Sequence, residues 1–208
     1  MVAHETPRSP LERGADDVCG DWVGVRAFTV GHSTRTQAEM VELLRGHGVA
    51  TLVDIRHLPR SRHNPQFNLE TLTEAMPAAG IGYAHVSRLG GLRHGRNAAS
   101  PNAGWRNAGF RAYADYMQTG EFAEGLAELR EIAEAGPVAL MCAEAVPWRC
   151  HRSLVADALT VRGVEVREIT SPTRATVHKL TPFARAEGCH LTYPAAEDAT
   201  SEESPPAG

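Results

Sequence analysis

Val25-Arg-Ala-Phe-Thr-Val30 runs directly into Gly31-His32-Ser33-Thr34 and then into Thr36-Gln-Ala-Glu39. A β-favouring apolar run thus ends in a glycine turn, and a capping box follows, in which the Thr36 hydroxyl and the Glu39 carboxylate can satisfy free amides of a first helical turn. The spacing predicts a helix that carries Met40, Val41 and Leu44 on one face and stops at Gly46 or Gly48. The same alternation continues outward. Thr51 to Ile55, Ile81 to Val86, Val138 to Cys142 and Val164 to Ile169 read as strands. Helices are expected near Leu69 to Ala79, Ala108 to Gln118 and Glu121 to Ala135, and through Leu154, Val155, Ala158 and Leu159. This pattern predicts an α/β fold: a three-layer, open, mostly parallel five-stranded sheet with helices on both faces. Right-handed crossovers between sequential neighbours favour the strand order 3-2-1-4-5, which opens a ligand crevice at the carboxyl ends of strands 1 and 4.

The 208 residues suit one domain. Residues 1–24 mix Pro, Gly, Arg and Asp without periodicity, and 193–208 are rich in Pro, Ala, Ser and Glu. Both ends are therefore expected to be flexible tails, the second acidic, around a single α/β domain at 25–192. Mean hydropathy is -0.29, and no apolar run approaches the ~18–20 residues that cross a bilayer, so no membrane partner is expected. Met1 to Pro10 lacks the apolar stretch of a secretory signal, which points to the cytoplasm and to Cys19, Cys142, Cys150 and Cys189 as thiols. They form no C-x-x-C pair, which excludes a zinc module or thioredoxin-like motif of that pattern. Net charge is -4, and the bases comprise twenty Arg and the single Lys179. Eight of those Arg fall between Arg56 and Arg111, against Glu70 and Glu74 alone. Arginine grips phosphate with a planar fork, whereas a chain without overall positive charge is not built for tight duplex binding.

Leu140-Met-Cys-Ala-Glu-Ala-Val-Pro-Trp-Arg-Cys-His-Arg-Ser153 joins a strand end to a helix start. Free amides and the positive dipole end there favour anions, and a neighbouring His and Arg push the same way, so Cys142 or Cys150 could serve as a thiolate nucleophile. A buried cysteine that merely packs is the competing reading. His32 and Glu144 are the acid-base candidates. Ser33, Asp54, Arg56, Arg60, Arg62, His151 and Arg152 are the candidate anion-binding groups. The long segment from Ser87 to Asn107 adds Trp105 and Arg106, an aromatic and a cation suited to a single-stranded nucleic acid or a nucleotide.

Thr29 to Thr34, Val53 to Arg56 with Pro59 to Arg62 and Asn64, Leu89-Gly-Gly91, Tyr113 with Tyr116-Met117, and Met141 to Glu144 with Cys150 to Arg152 follow one another in this order. Together they resemble the domain-of-unknown-function family numbered 488, over roughly Phe28 to Ile169. The resemblance implies an α/β fold and carries no established activity. The leading expectation is a cysteine-dependent enzyme acting on a phosphate-bearing substrate, either an anionic small molecule or a single-stranded nucleic acid. A non-catalytic nucleotide or nucleic-acid binding module is the second reading. A metal-dependent enzyme with Cys142, Cys150 and His151 as ligands is the third, and no other cofactor is called for.

Overall fold

The computed structural model describes residues 22–93 and 99–196, so most of the tails expected at 1–24 and 193–208 lies outside the described residues. Strands β1 (Ala27–Gly31), β2 (Thr51–Asp54), β3 (Gly82–His85), β4 (Val138–Cys142), β5 (Val166–Ser171) and β6 (Arg174–Val177) form one sheet in the order β3-β2-β4-β1-β5-β6. The first five are parallel and β6 runs antiparallel to β5. The α/β class is as expected, but the sheet has six strands, and β4 sits between β2 and β1 rather than beyond β1. The composition of β4 explains the difference. All five of its residues, Val-Ala-Leu-Met-Cys, are buried, whereas β1 leaves Phe28 half-buried and β5 alternates buried with exposed positions. A strand apolar on both sides takes the position covered on both sides. The pairing of β1 with β4 survives the rearrangement, with Gly31 opposite Cys142, and β4 also pairs with β2, with Asp54 opposite Met141.

Helices cover both faces. α1 (Gln37–Gly46) and α2 (Leu69–Ala78) pack on one side, and α3 (Ala108–Tyr116), α4 (Gly120–Ala133) and α5 (Arg152–Thr160) on the other. The pleat of β4 divides its side chains between the two cores: Val138, Leu140 and Cys142 join the α3–α5 side, Ala139 and Met141 the α1–α2 side. The predicted capping box is formed, with Thr36 Oγ1 accepting from the Glu39 amide and Glu39 Oε2 accepting from the Thr36 amide. Among the described residues no helix is long and apolar enough to cross a membrane.

Two residues placed in the tails by composition belong to the domain. Trp22 and Tyr193 are buried in the α3–α5 core, because burying a large aromatic outweighs the ordering of a short segment. Beyond β5 lies a hairpin that the sequence pattern did not disclose, β7 (Arg185–Glu187) paired with β8 (His190–Thr192). It is short and mostly polar. At its turn Cys189 is disulfide-bonded rather than a free thiol, a pairing that spacing could not reveal. The segment is tied down by Asp157 on α5, fully buried, which accepts hydrogen bonds from His178 Nε2 (2.6 Å), the Thr181 amide (3.1 Å) and hydroxyl (2.6 Å), and the Tyr193 hydroxyl (2.9 Å). Asp157→Ala strands these donors at once and is expected to lower the unfolding free energy by about 2–5 kcal/mol. Denaturant unfolding checks this, and an unchanged midpoint would show the segment to be held by something else.

Candidate functional site

The carboxyl ends of β1, β2 and β4 converge on one crevice. The chain leaves β1 through Gly31 and hugs the turn after β4: the His32 amide donates to Cys142 O and the Ser33 amide to Ala143 O, each at 2.9 Å. Gly31 is required there, since a Cβ at that position would lie 1.9 Å from Glu144 O. Ser33 follows with φ 47°, a left-handed conformation that a non-glycine residue holds only when its surroundings fix it. The resulting pocket, about 430 Å³, is lined by Ser33, Arg60, Ser61, Asn64 and the turn Ala143–Ala145, with His32, Arg56 and Leu58 completing its wall. Its volume is that of a small-molecule site. Neither the Glu144 nor the Ala145 amide bonds to another described residue, so the turn retains donors for an anion.

One side of the crevice is a closed network. Asp54, fully buried, takes a forked contact from Arg56: Nη2 donates to Oδ2 at 2.5 Å and Nε to Oδ1 at 2.9 Å. Arg56 Nη2 also donates to Phe67 O (2.6 Å), and Nη1 lies 3.2 Å from His32 Nε2. His32 Nδ1 is 2.9 Å from Ser33 O, which can only accept, so Nδ1 carries the proton and Nε2 accepts from Arg56. Burial holds this imidazole below its usual range, helped by the Arg56 charge. The ring stacks on Phe67 at 4.5 Å between centroids, and the Tyr83 hydroxyl donates to Asp54 Oδ2 at 3.0 Å. Both imidazole nitrogens and the Arg56 fork are therefore spent inside the protein. Arg56, Asp54 and His32 brace the crevice floor, and the free cation among its described lining residues is Arg60.

The thiols occupy a separate, buried compartment. Cys142 and Cys150 are free cysteines, 1% and 6% exposed, with their sulfurs 2.7 Å apart. Arg152, fully buried, donates from Nη1 to Cys142 Sγ (3.0 Å) and to Glu144 O (2.9 Å), and from Nη2 to Glu168 Oε1 (2.9 Å). The Thr29 hydroxyl donates to the other oxygen of Glu168. The Arg152 amide, in the first turn of α5, points at Cys150 Sγ (3.4 Å). His151 Nε2 lies 3.0 Å from Ile55 O and so carries the proton, leaving Nδ1 bare at 3.5 Å from Cys150 Sγ. Gly91 lets the chain close over that ring, since a Cβ there would meet Nδ1 at 2.2 Å. Burial pushes His151 down to about 4, so it is neutral. The hydrogen bond from Cys150, reinforced by the Arg152 charge, draws the Cys142 thiol below its ordinary range against the effect of burial. The same bond, with burial, pushes Cys150 well up. Of the two, Cys142 is thus the thiol that ionises more readily, with Cys150 and the Arg152 guanidinium placed to hold the charge.

Residues 36–159, well over half the chain, match the family model described as "Domain of unknown function DUF488". The chain belongs to the DUF488 family. A search of curated proteins and one of solved structures each finds no match. The matched span of this DUF488 domain holds both cysteines, Arg56 to Asn64 and Glu144, while His32, Ser33 and Glu168 lie outside it.

Of the residues singled out from sequence, Ser33, Arg60 and Glu144 face one another across the crevice, with His32 and Arg56 beneath. Cys142, Cys150, His151 and Arg152 cluster behind the Ala143–Ala145 turn. Arg62 is exposed and outside the crevice lining. Trp105 packs against Phe110, Phe183 and Tyr193 instead of offering a free stacking face, and Arg106 is exposed beside it. Among the described residues no three His, Cys, Asp or Glu are arranged to hold a metal ion; Cys142 turns its sulfur to Arg152 and His151 its Nε2 to a carbonyl. Sequence reasoning missed Glu168, an acid within an alternating strand that looked like any exposed position, and Ser61, which gave no chemical signal of its own. Arg56→Ala leaves the buried Asp54 carboxylate without its cation and is expected to cost about 3–5 kcal/mol of stability. Thermal and denaturant unfolding check this; a fully stable variant would show that Asp54 finds another partner.

Proposed function

We propose that this protein binds a phosphate-bearing ligand of nucleotide size in the crevice at the carboxyl ends of β1, β2 and β4. The observation that carries the reading is the composition of its open side: the uncommitted Arg60 guanidinium, the hydroxyls of Ser33 and Ser61, the Asn64 amide and the free amides of Glu144 and Ala145 converge on about 430 Å³. A cation with several neutral donors around a turn is how phosphate is held without a metal. A volume of about 430 Å³ without a Phe, Tyr or Trp ring among its described lining residues suits a nucleotide better than a continuous strand, which needs a groove with exposed stacking aromatics. Glu144, exposed at the rim, is the group positioned to move a proton should the ligand be a substrate. The buried sulfurs do not line the crevice, so the reading does not rest on a cysteine nucleophile.

Calorimetric titration with the common ribonucleotides and with inorganic phosphate tests it. At least one ribonucleotide is expected to bind. Arg60→Ala should weaken that affinity by about ten-fold or more, the worth of one charge-assisted contact, and Arg62→Ala should leave it unchanged. No binding, or equal affinity in Arg60→Ala, would contradict the proposal.

A further inference from the structure

The thiol pair carries chemistry that ligand binding does not use. Two reduced sulfurs 2.7 Å apart stand within side-chain rotation of a bond of about 2.05 Å. The environment is differentiated for stepwise oxidation. Cys142 Sγ receives the Arg152 guanidinium at 3.0 Å, which favours its anionic form, the form that attacks. Cys150 Sγ has the bare His151 Nδ1 at 3.5 Å, an acceptor for its proton. Exposures of 1% and 6% exclude a bulky oxidant such as a peptide disulfide. The turn that directly follows Cys142, Ala143–Ala145, lines the crevice, so the thiol pair lies next to a surface that a small oxidant reaches.

We infer that Cys142 and Cys150 form a redox site for small hydroperoxides, cycling between a thiolate–thiol pair and a disulfide. The Cys142 thiolate attacks one peroxide oxygen; the O–O bond breaks and hydroxide leaves, taking a proton from solvent to become water. Cys142 is then a sulfenic acid. Cys150 attacks the Cys142 sulfur, the S–O bond breaks, and the departing hydroxide takes the Cys150 proton through His151 as a second water. The two sulfurs together give up two electrons and hydrogen peroxide is reduced to water. A dithiol much smaller than a peptide, such as dithiothreitol, restores the starting pair by thiol–disulfide exchange. The site is independent of what the crevice binds.

Trypsin cleavage after Arg149 separates the two cysteines, so their bond is visible as a linked peptide pair. Folded wild-type protein treated with a few equivalents of hydrogen peroxide is expected to yield the Cys142–Cys150 linked pair, with loss of two hydrogen masses, reversed by dithiothreitol. Cys150→Ser should halt at a sulfenic acid on Cys142 that a dimedone probe traps, and Cys142→Ser should give neither product. The linked pair in wild type needs no variant, so a misfolded substitution leaves the test standing. Absence of that pair in folded protein, under peroxide that oxidises free cysteine, would overturn the inference. So would a Cys142→Ser variant that folds and is oxidised at Cys150 as fast as wild type.

Discussion

The turn that walls the crevice at the carboxyl edge of the sheet is arranged around one buried cation. Arg152 has no solvent exposure, and a guanidinium in that position is tolerable only if anions and carbonyls surround it. It receives Glu168 from β5, the Cys142 sulfur from β4, and carbonyl oxygens from the turn that follows. One side chain thereby fixes the end of two strands and the shape of the turn between them. Because that turn is also the wall of the crevice, the ligand-facing surface and the thiol chemistry behind it share a support.

A second buried ion pair does the same on the other side. Arg56 satisfies Asp54 and at the same time positions His32 and the loop carrying Phe67. The crevice is thus a gap between two internally neutralised guanidinium networks, and its capacity for ligand comes from what those networks leave over: Arg60, hydroxyls, amides and a rim carboxylate. Residues that look most like catalytic machinery, a histidine beside an aspartate and an arginine, spend their hydrogen bonds on rigidity. Rigid support beneath a set of adaptable donors is what a preorganised binding site requires.

Much of this was legible in the sequence. The capping box at Thr36 and the apolar run at Val138–Cys142 marked their elements closely, and the pairing of β1 with β4 brought the glycine–histidine turn to the cysteine turn as the crossover rules suggest. The centre of the sheet was misplaced because connectivity rules favour sequential neighbours, whereas the uniformly apolar β4 is driven inward by burial on both faces. The roles of individual residues were less accessible. An arginine in a string such as Arg56-His-Leu-Pro-Arg-Ser-Arg62 does not announce whether it pairs inward or faces solvent; only the fold separates the buried Arg56 from the crevice-facing Arg60 and the exposed Arg62. Nor could spacing show that Cys142 and Cys150, eight positions apart, meet sulfur to sulfur, since that depends on how the 3₁₀ turn Pro147–Arg149 folds the chain back.

The central claim is that Arg152 stabilises an anionic Cys142 inside the protein. Its most direct measurement is the ultraviolet thiolate absorbance of the folded, reduced chain as pH is raised, compared between wild type, Cys142→Ser and Arg152→Met. The account predicts that wild type acquires one thiolate below the pH at which free cysteine ionises, that Cys142→Ser lacks this early step, and that Arg152→Met shifts it upward. An early step that persists in Cys142→Ser, or a wild-type chain whose thiols ionise only with free cysteine or above it, would contradict it.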